Sequence, residues 1–171
     1  MISCCNRRST PSGSRRSRSR YFSTKGNGIN VLAQQTPNGE VVSSSLTVKG
    51  GYVNSEGYGL GAYGNKAVLN VSSGVTVADN NAVVSGNGTV NETTNAGGTE
   101  INLTGGTLIG HITTGGYIAC GVYHPQSGKL TISGDVDIYA DGGVGVLMRA
   151  GTAEITGGTI TGTGTAAGWV G

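Results

Sequence analysis

The sequence has little of what builds helices, disulfide scaffolds or membrane spans. Of its 171 residues only 3 are proline and 3 are cysteine, 5% are aromatic and 12% are charged. Cys4 and Cys5 are adjacent and Cys120 stands alone, so there is neither a disulfide framework nor a C-x-x-C zinc or redox motif. Cys120 lies in a β-prone run and is expected to act as a small buried hydrophobe. No apolar run is long enough for a transmembrane helix, and the first 20 residues lack the apolar core of a signal peptide. No glycine-free window carries apolar residues at i, i+3, i+4 and i+7, so almost no α-helix is expected.

Acid is missing from one region altogether. Residues 1–25 carry Arg7, Arg8, Arg15, Arg16, Arg18, Arg20 and Lys25 and no carboxylate, whereas the remaining 146 residues carry 4 basic and 9 acidic side chains, a net of −5. The overall charge of +2 therefore averages a basic segment and a mildly acidic body. No nucleic-acid footprint is expected on the body. The stretch 1–28 is Ser/Arg-rich and aperiodic, and it is expected to be a disordered tail because it offers too little apolar surface to offset the entropy of ordering. An organellar transit peptide, or a phosphate-backbone contact through Arg15–Arg20, are the other readings of this stretch.

Glycine is abundant, at 33 of 171 residues with no G-X-Y period, which excludes collagen and points to many tight turns between short strands. Thr, Val, Ile, Ser and Asn fill the intervals and suit thin β-layers. The segment 154–161 reads E-I-T-G-G-T-I-T, and similar runs occur at 46–53, 68–77, 100–108 and 130–138. Each alternates apolar residues, passes through one or two small residues, then enters another β-prone run. With Gly51, Gly74, Gly106, Asp135 and Gly158 as the fixed point, the spacings are 23, 32, 29 and 23 residues. Residues 29–45, with a Pro37-Asn38-Gly39 turn, are expected to form a leading strand that covers the first open edge.

A unit of this length cannot bury its own apolar face, but stacked units share one. The expected fold is all-β: a single-stranded right-handed parallel β-helix (β-solenoid) of about five short coils over 46–171, preceded by the tail. Alternation places Leu69, Val71, Ile101, Leu103, Leu130, Ile132 and Ile155 inward, and Asn70, Asn102, Thr131 and Glu154 outward. The longer spacings carry insertions at 87–98 and 111–119, expected as loops on one face. The apolar positions after Gly74 and Asp135 fall one and three residues on, not two, so those two units either hold an extra turn residue or are misaligned by one. The last coil has no evident cap. Trp169 folds over it, or the open end stacks on another chain.

The T-G-G-T-[IL] repeats, with S-G-N-G-T at 85–89 and Y-H-P-Q-S-G at 123–128, resemble the pectin-lyase-like right-handed β-helices of bacterial surface and bacteriophage proteins. The resemblance spans residues 44–165 and speaks to architecture, because that fold carries lyases, hydrolases, tailspikes and adhesive rods alike. It implies an extracellular, cell-surface or virion location.

Asp135 and Asp137, at i and i+2, share a strand face, with Asp141 and Arg149 near in sequence. The resemblance implies calcium-binding acids and a basic residue on the outer face of a polysaccharide lyase. The plainer reading is a solvated charged face, since calcium takes six to eight oxygens. His111 and His124 share no motif with another ligand and are expected to be corner residues. Met148 is expected as a core filler in line with Ala62 and His124, and the tyrosines are too spread for a stacking platform. The residues that break the repeat, and so the candidate binding residues, are Asn87, Asn91, Asn95, His111, Tyr117, Asp135 and Asp137.

The leading expectation is a non-catalytic structural or adhesive module of a cell surface or phage particle. It would contact glycans or other structural proteins, as a homo-oligomer or by end-to-end stacking, and it would need no cofactor or metal. The alternative is a carbohydrate-active enzyme fragment using Asp135, Asp137 and Arg149.

Overall fold

A computed structural model describes residues 21–34, 36–86, 99–111, 120–124 and 128–164. Twelve strands run through them: β1 (Tyr21–Thr24), β2 (Ile29–Leu32), β3 (Ser44–Ser55), β4 (Leu60–Tyr63), β5 (Ala67–Asp79), β6 (Val84–Gly86), β7 (Thr99–His111), β8 (Cys120–His124), β9 (Gly128–Asp141), β10 (Val144–Met148), β11 (Thr152–Ile155) and β12 (Thr159–Gly162). No helix occurs among the described residues, and none there is long and apolar enough to cross a membrane. The chain alternates between two sheets. A long sheet runs β1-β3-β5-β7-β9 and ends in β11 and β12, both paired to β9. A short sheet runs β2-β4-β6-β8-β10. Every pairing is parallel.

Parallel sheets usually bury both faces, and their strands read as unbroken apolar runs. Here burial alternates along each long strand, as in Thr99–His111 with one break at Gly106–Thr107, so only one face is covered. The inward residues form columns down the stack. Leu69, Ile101 and Leu130 make one, and Val71, Leu103 and Ile132 a second, all essentially buried. Leu60, Val84 and Val122 answer them from the short sheet and join the same core. Each such side chain contributes about 1.5–3 kcal/mol by leaving water. Outward, Asn102 Nδ2 donates to Asn70 Oδ1 at 2.9 Å, so like residues stack on adjacent strands. Ile155 stands in the second column but is 53% exposed, because β11 pairs on one side only among the described residues. Met148 aligns with His124 and packs against the core, as expected.

Each long strand bends at one point into a first and a second limb. Gly51, Gly74 and Gly106 align there, with φ of 95°, 102° and 96°, conformations that glycine alone adopts freely. In β9 the residue in this register is Val136, not Asp135, so the last two spacings become 30 and 22 residues. The cause is a bulge. Between Leu103 and Gly105 β7 has one residue, and between the matching Ile132 and Asp135 β9 has two. Gly134, at φ 64°, takes the positive angle in Val136's place. At Gly74 the alignment holds. The position two residues on is Thr76, a polar residue that is nevertheless buried between Val53 and Leu108, so the apolar pattern misses it.

Two boundaries differ from those read off the sequence. Tyr21–Thr24 falls inside the stretch assigned to the tail, yet it is a strand in register with Tyr52–Ser55. Four residues suffice because their hydrogen bonds are supplied by an existing edge. Ile29–Leu32 does not lie across the open edge but extends it, as the first strand of the short sheet. The turn at Pro37–Gly39 is present, closed by Thr36 N–H to Glu40 O at 2.8 Å. Residues 1–20, Trp169 and the insertions at 87–98 and 112–119 lie outside the described residues.

Candidate functional site

Five of the nine acidic residues, with His111, collect on the outer face of the second limb. Alternation past the corner turns Val53, Thr76, Leu108 and Ile138 inward, so their neighbours face out. Asp79, His111 and Asp141 pair directly across β5, β7 and β9. Glu56 extends this column by one residue beyond the Ser55–Ala78 pair. Thr163 closes it, donating from Oγ1 to Asp141 Oδ1 at 3.2 Å. His111 Nδ1 lies 3.8 Å from Asp141 Oδ2, with both side chains about half exposed. Strands in a sheet are about 4.8 Å apart, so the carboxylates would repel one another without an imidazole between them.

Asp137 and Asp135 flank the corner on the same face. Both are exposed, and Val136 between them is buried. They border a shallow open cleft of ≈ 300 Å³ formed with Gly134, Gly158 and Thr159. The cleft lies where the bulge residue Gly134 faces the Gly158 turn between β11 and β12. Between the two acidic positions lies an apolar stripe. Val77, Ile109 and Tyr139 stack in register, and Val75 stands beside them. These residues point away from the core. Tyr139 is 36% exposed and the valines and Ile109 are half-buried.

Of the candidate binding residues, the structure therefore brings His111, Asp135 and Asp137 onto one limb. Asn87, Asn91, Asn95 and Tyr117 lie outside the described residues. Arg149 follows the end of β10 in the short sheet, where its N–H bonds His124 O at 3.2 Å, and it does not line the Asp135/Asp137 cleft. Sequence reasoning missed the Glu56–Asp79–His111–Asp141 column. Its signal was present: these residues are separated by 23, 32 and 30 positions, the same intervals as the corrected corner.

The remaining reactive groups sit in the body of the stack. His124 is buried, with Nδ1 3.3 Å from Ala150 O. A carbonyl only accepts, so Nδ1 carries the hydrogen and the ring is fixed at a corner. Cys120 packs with Ala82 and Tyr123, and burial pushes its thiol up to about 12, so it is a hydrophobe and not a nucleophile. Burial likewise raises Tyr63, partly offset by a side-chain hydrogen bond with Ser85, and raises Tyr58. Among the described residues no three of His, Cys, Asp or Glu come together to hold a metal ion. Compared with known protein families, curated proteins and solved structures, the chain matches none.

Proposed function

We propose that the chain is a right-handed parallel β-helix serving as a non-catalytic structural or adhesive module at a cell surface or on a phage particle. One observation carries the reading: strands alternate between two all-parallel sheets and stay in register from Tyr21 to Gly162, apart from a local irregularity at Lys49–Gly51 in β3 and the bulge in β9. A right-handed sense follows from the strong preference of crossover connections between parallel strands. Such a stack transmits load along its axis through shared hydrogen-bond ladders and presents the same outer positions at every level. Both properties suit a rod or a repetitive contact surface. Partners are surface glycans or other structural proteins, met by the outer face of the second limb and by the inserted segments. The last strands, with Ile155 exposed, support end-to-end stacking of copies.

The test is turnover. Incubation of the full chain with pectate, alginate and host-type glycans, with and without calcium, should release no unsaturated or reducing ends. Cleavage of any of them, lost on substituting Asp135 or Asp137, would overturn the reading in favour of a polysaccharide-active enzyme.

A further inference from the structure

We propose that the outer face of the second limb is the docking surface for the chain's own arginine-rich segment, residues 1–20. Charge is the first argument. The face concentrates Glu56, Asp79, Asp137 and Asp141, with Asp135 at its corner, which is five of the nine carboxylates in the chain. The described cations on it are Lys25, one residue past β1, and His111 when protonated. The other described strand-face acids are balanced locally: Glu154 pairs with Lys129 at 3.0 Å, and Glu100 is in register with the same lysine. The acidic excess is thus confined to one limb, and residues 1–20 hold six arginines and no acid.

Position is the second argument. Residue 20 immediately precedes β1, which is the first strand of this same limb, with Tyr21 in register with Tyr52. The described face is five strand-to-strand steps tall, about 24 Å. Twenty extended residues reach about 66 Å, so the segment can run the full height. A tethered segment meets its own face at millimolar effective concentration, and weak contacts suffice.

Surface chemistry is the third argument. A charged face needs no apolar centre to stay soluble, yet Val75, Val77, Ile109 and Tyr139 form one. Arginine fits such a surface better than lysine. Its three methylenes lie along aliphatic side chains while the guanidinium reaches a carboxylate, and it stacks on a ring such as Tyr139. The inference does not depend on the adhesive role, and an enzyme could carry the same contact.

The full chain tests it. Trypsin cleaves after Arg15, Arg16, Arg18 and Arg20, and mass spectrometry follows each cut in time. A variant carrying Asp79→Asn, Asp137→Asn and Asp141→Asn keeps side-chain size at one half-buried and two exposed positions, and its melting curve controls for folding. At low salt, cleavage should be about tenfold slower in the wild type than in the variant, the effect of several exposed ion pairs acting together. The difference should vanish at about 1 M salt, where screening shortens to about 3 Å, and should not change with protein concentration. Equal rates in the two proteins overturn the proposal. Protection that grows with concentration also overturns it, by assigning the face to the segment of a second copy. As an independent readout, a nitroxide on Cys4 in a Cys5→Ser chain should broaden the amide signals of Val77, Ile109 and Tyr139. Cys120 is buried and stays unlabelled. Unbroadened signals at all three refute the contact.

Discussion

The corner of the long sheet gives the sharpest test of the architecture. Val136 stands in register with Gly106, so comparing strands suggests that valine is tolerated at position 106. The structure says otherwise. Gly106 has φ of 96°, and a Cβ there would meet Gly74 O at 2.9 Å and Ser73 C at 3.1 Å, both backbone atoms of the neighbouring strand. Those atoms belong to a ladder and cannot swing aside. Gly106→Val should therefore add a backbone-strain cost of about 1–3 kcal/mol to an overpacking cost of about 1–3 kcal/mol. For a chain of this size that lowers the melting temperature by roughly 5–20 °C. Gly50→Ala is the control. Its φ of 143° is also positive, but nothing lies within 4 Å of the new carbon, so the strain cost applies without the overpacking cost. Thermal unfolding followed by circular dichroism separates the two. A Gly106→Val protein that melts within 2 °C of the Gly50→Ala protein would show that glycine does not turn this corner for steric reasons.

Three further outcomes follow from the same geometry. Leu103→Ala, between Val71 and Ile132 in a fully buried column, should cost about 3 kcal/mol in denaturant unfolding. Burial raises the Cys120 thiol from 9.0 to about 12, so above pH 9 the unfolded chain loses this proton first. Its contribution is complete below pH 9 and is lost as pH rises towards 12, by about 4 kcal/mol in all; the stability of wild type relative to Cys120→Ala should therefore fall over that window, and a constant difference would refute the burial argument. His111→Glu places a carboxylate between Asp79 and Asp141 and should cost about 0.5–2 kcal/mol at neutral pH. Raising the salt concentration should recover most of that loss.

Much of the fold was legible because alternation and glycine spacing are local signals. Leu69, Val71, Ile101, Leu103, Leu130 and Ile132 are inward, as their period of two requires, and Asn70, Asn102 and Thr131 are outward. Thr76 escaped because a buried hydroxyl carries no hydrophobic signature, and Asp135 took Val136's place because a bulge shifts register without altering composition. Tyr21–Thr24 was hidden by its basic surroundings, since a short strand added to a sheet edge is stabilised by its neighbour rather than by its own residues. The site was legible only in part. Asp135 and Asp137 could be paired from i, i+2 spacing alone. Glu56, Asp79, His111 and Asp141 are scattered through 86 residues and become a column only when register is known.

By itself, then, the sequence determined that the chain is β-structured, repetitive, glycine-cornered and divided into a basic segment and an acidic body. These are properties of composition and period, and they hold before any strand finds its partner. Tertiary structure alone decided which residue stands beside which. Parallel pairing translates each strand by a whole unit, so one extra residue at Gly134 sets the identity of every outer neighbour beyond it. That register, not the carboxylates themselves, gathers the acids onto a single face.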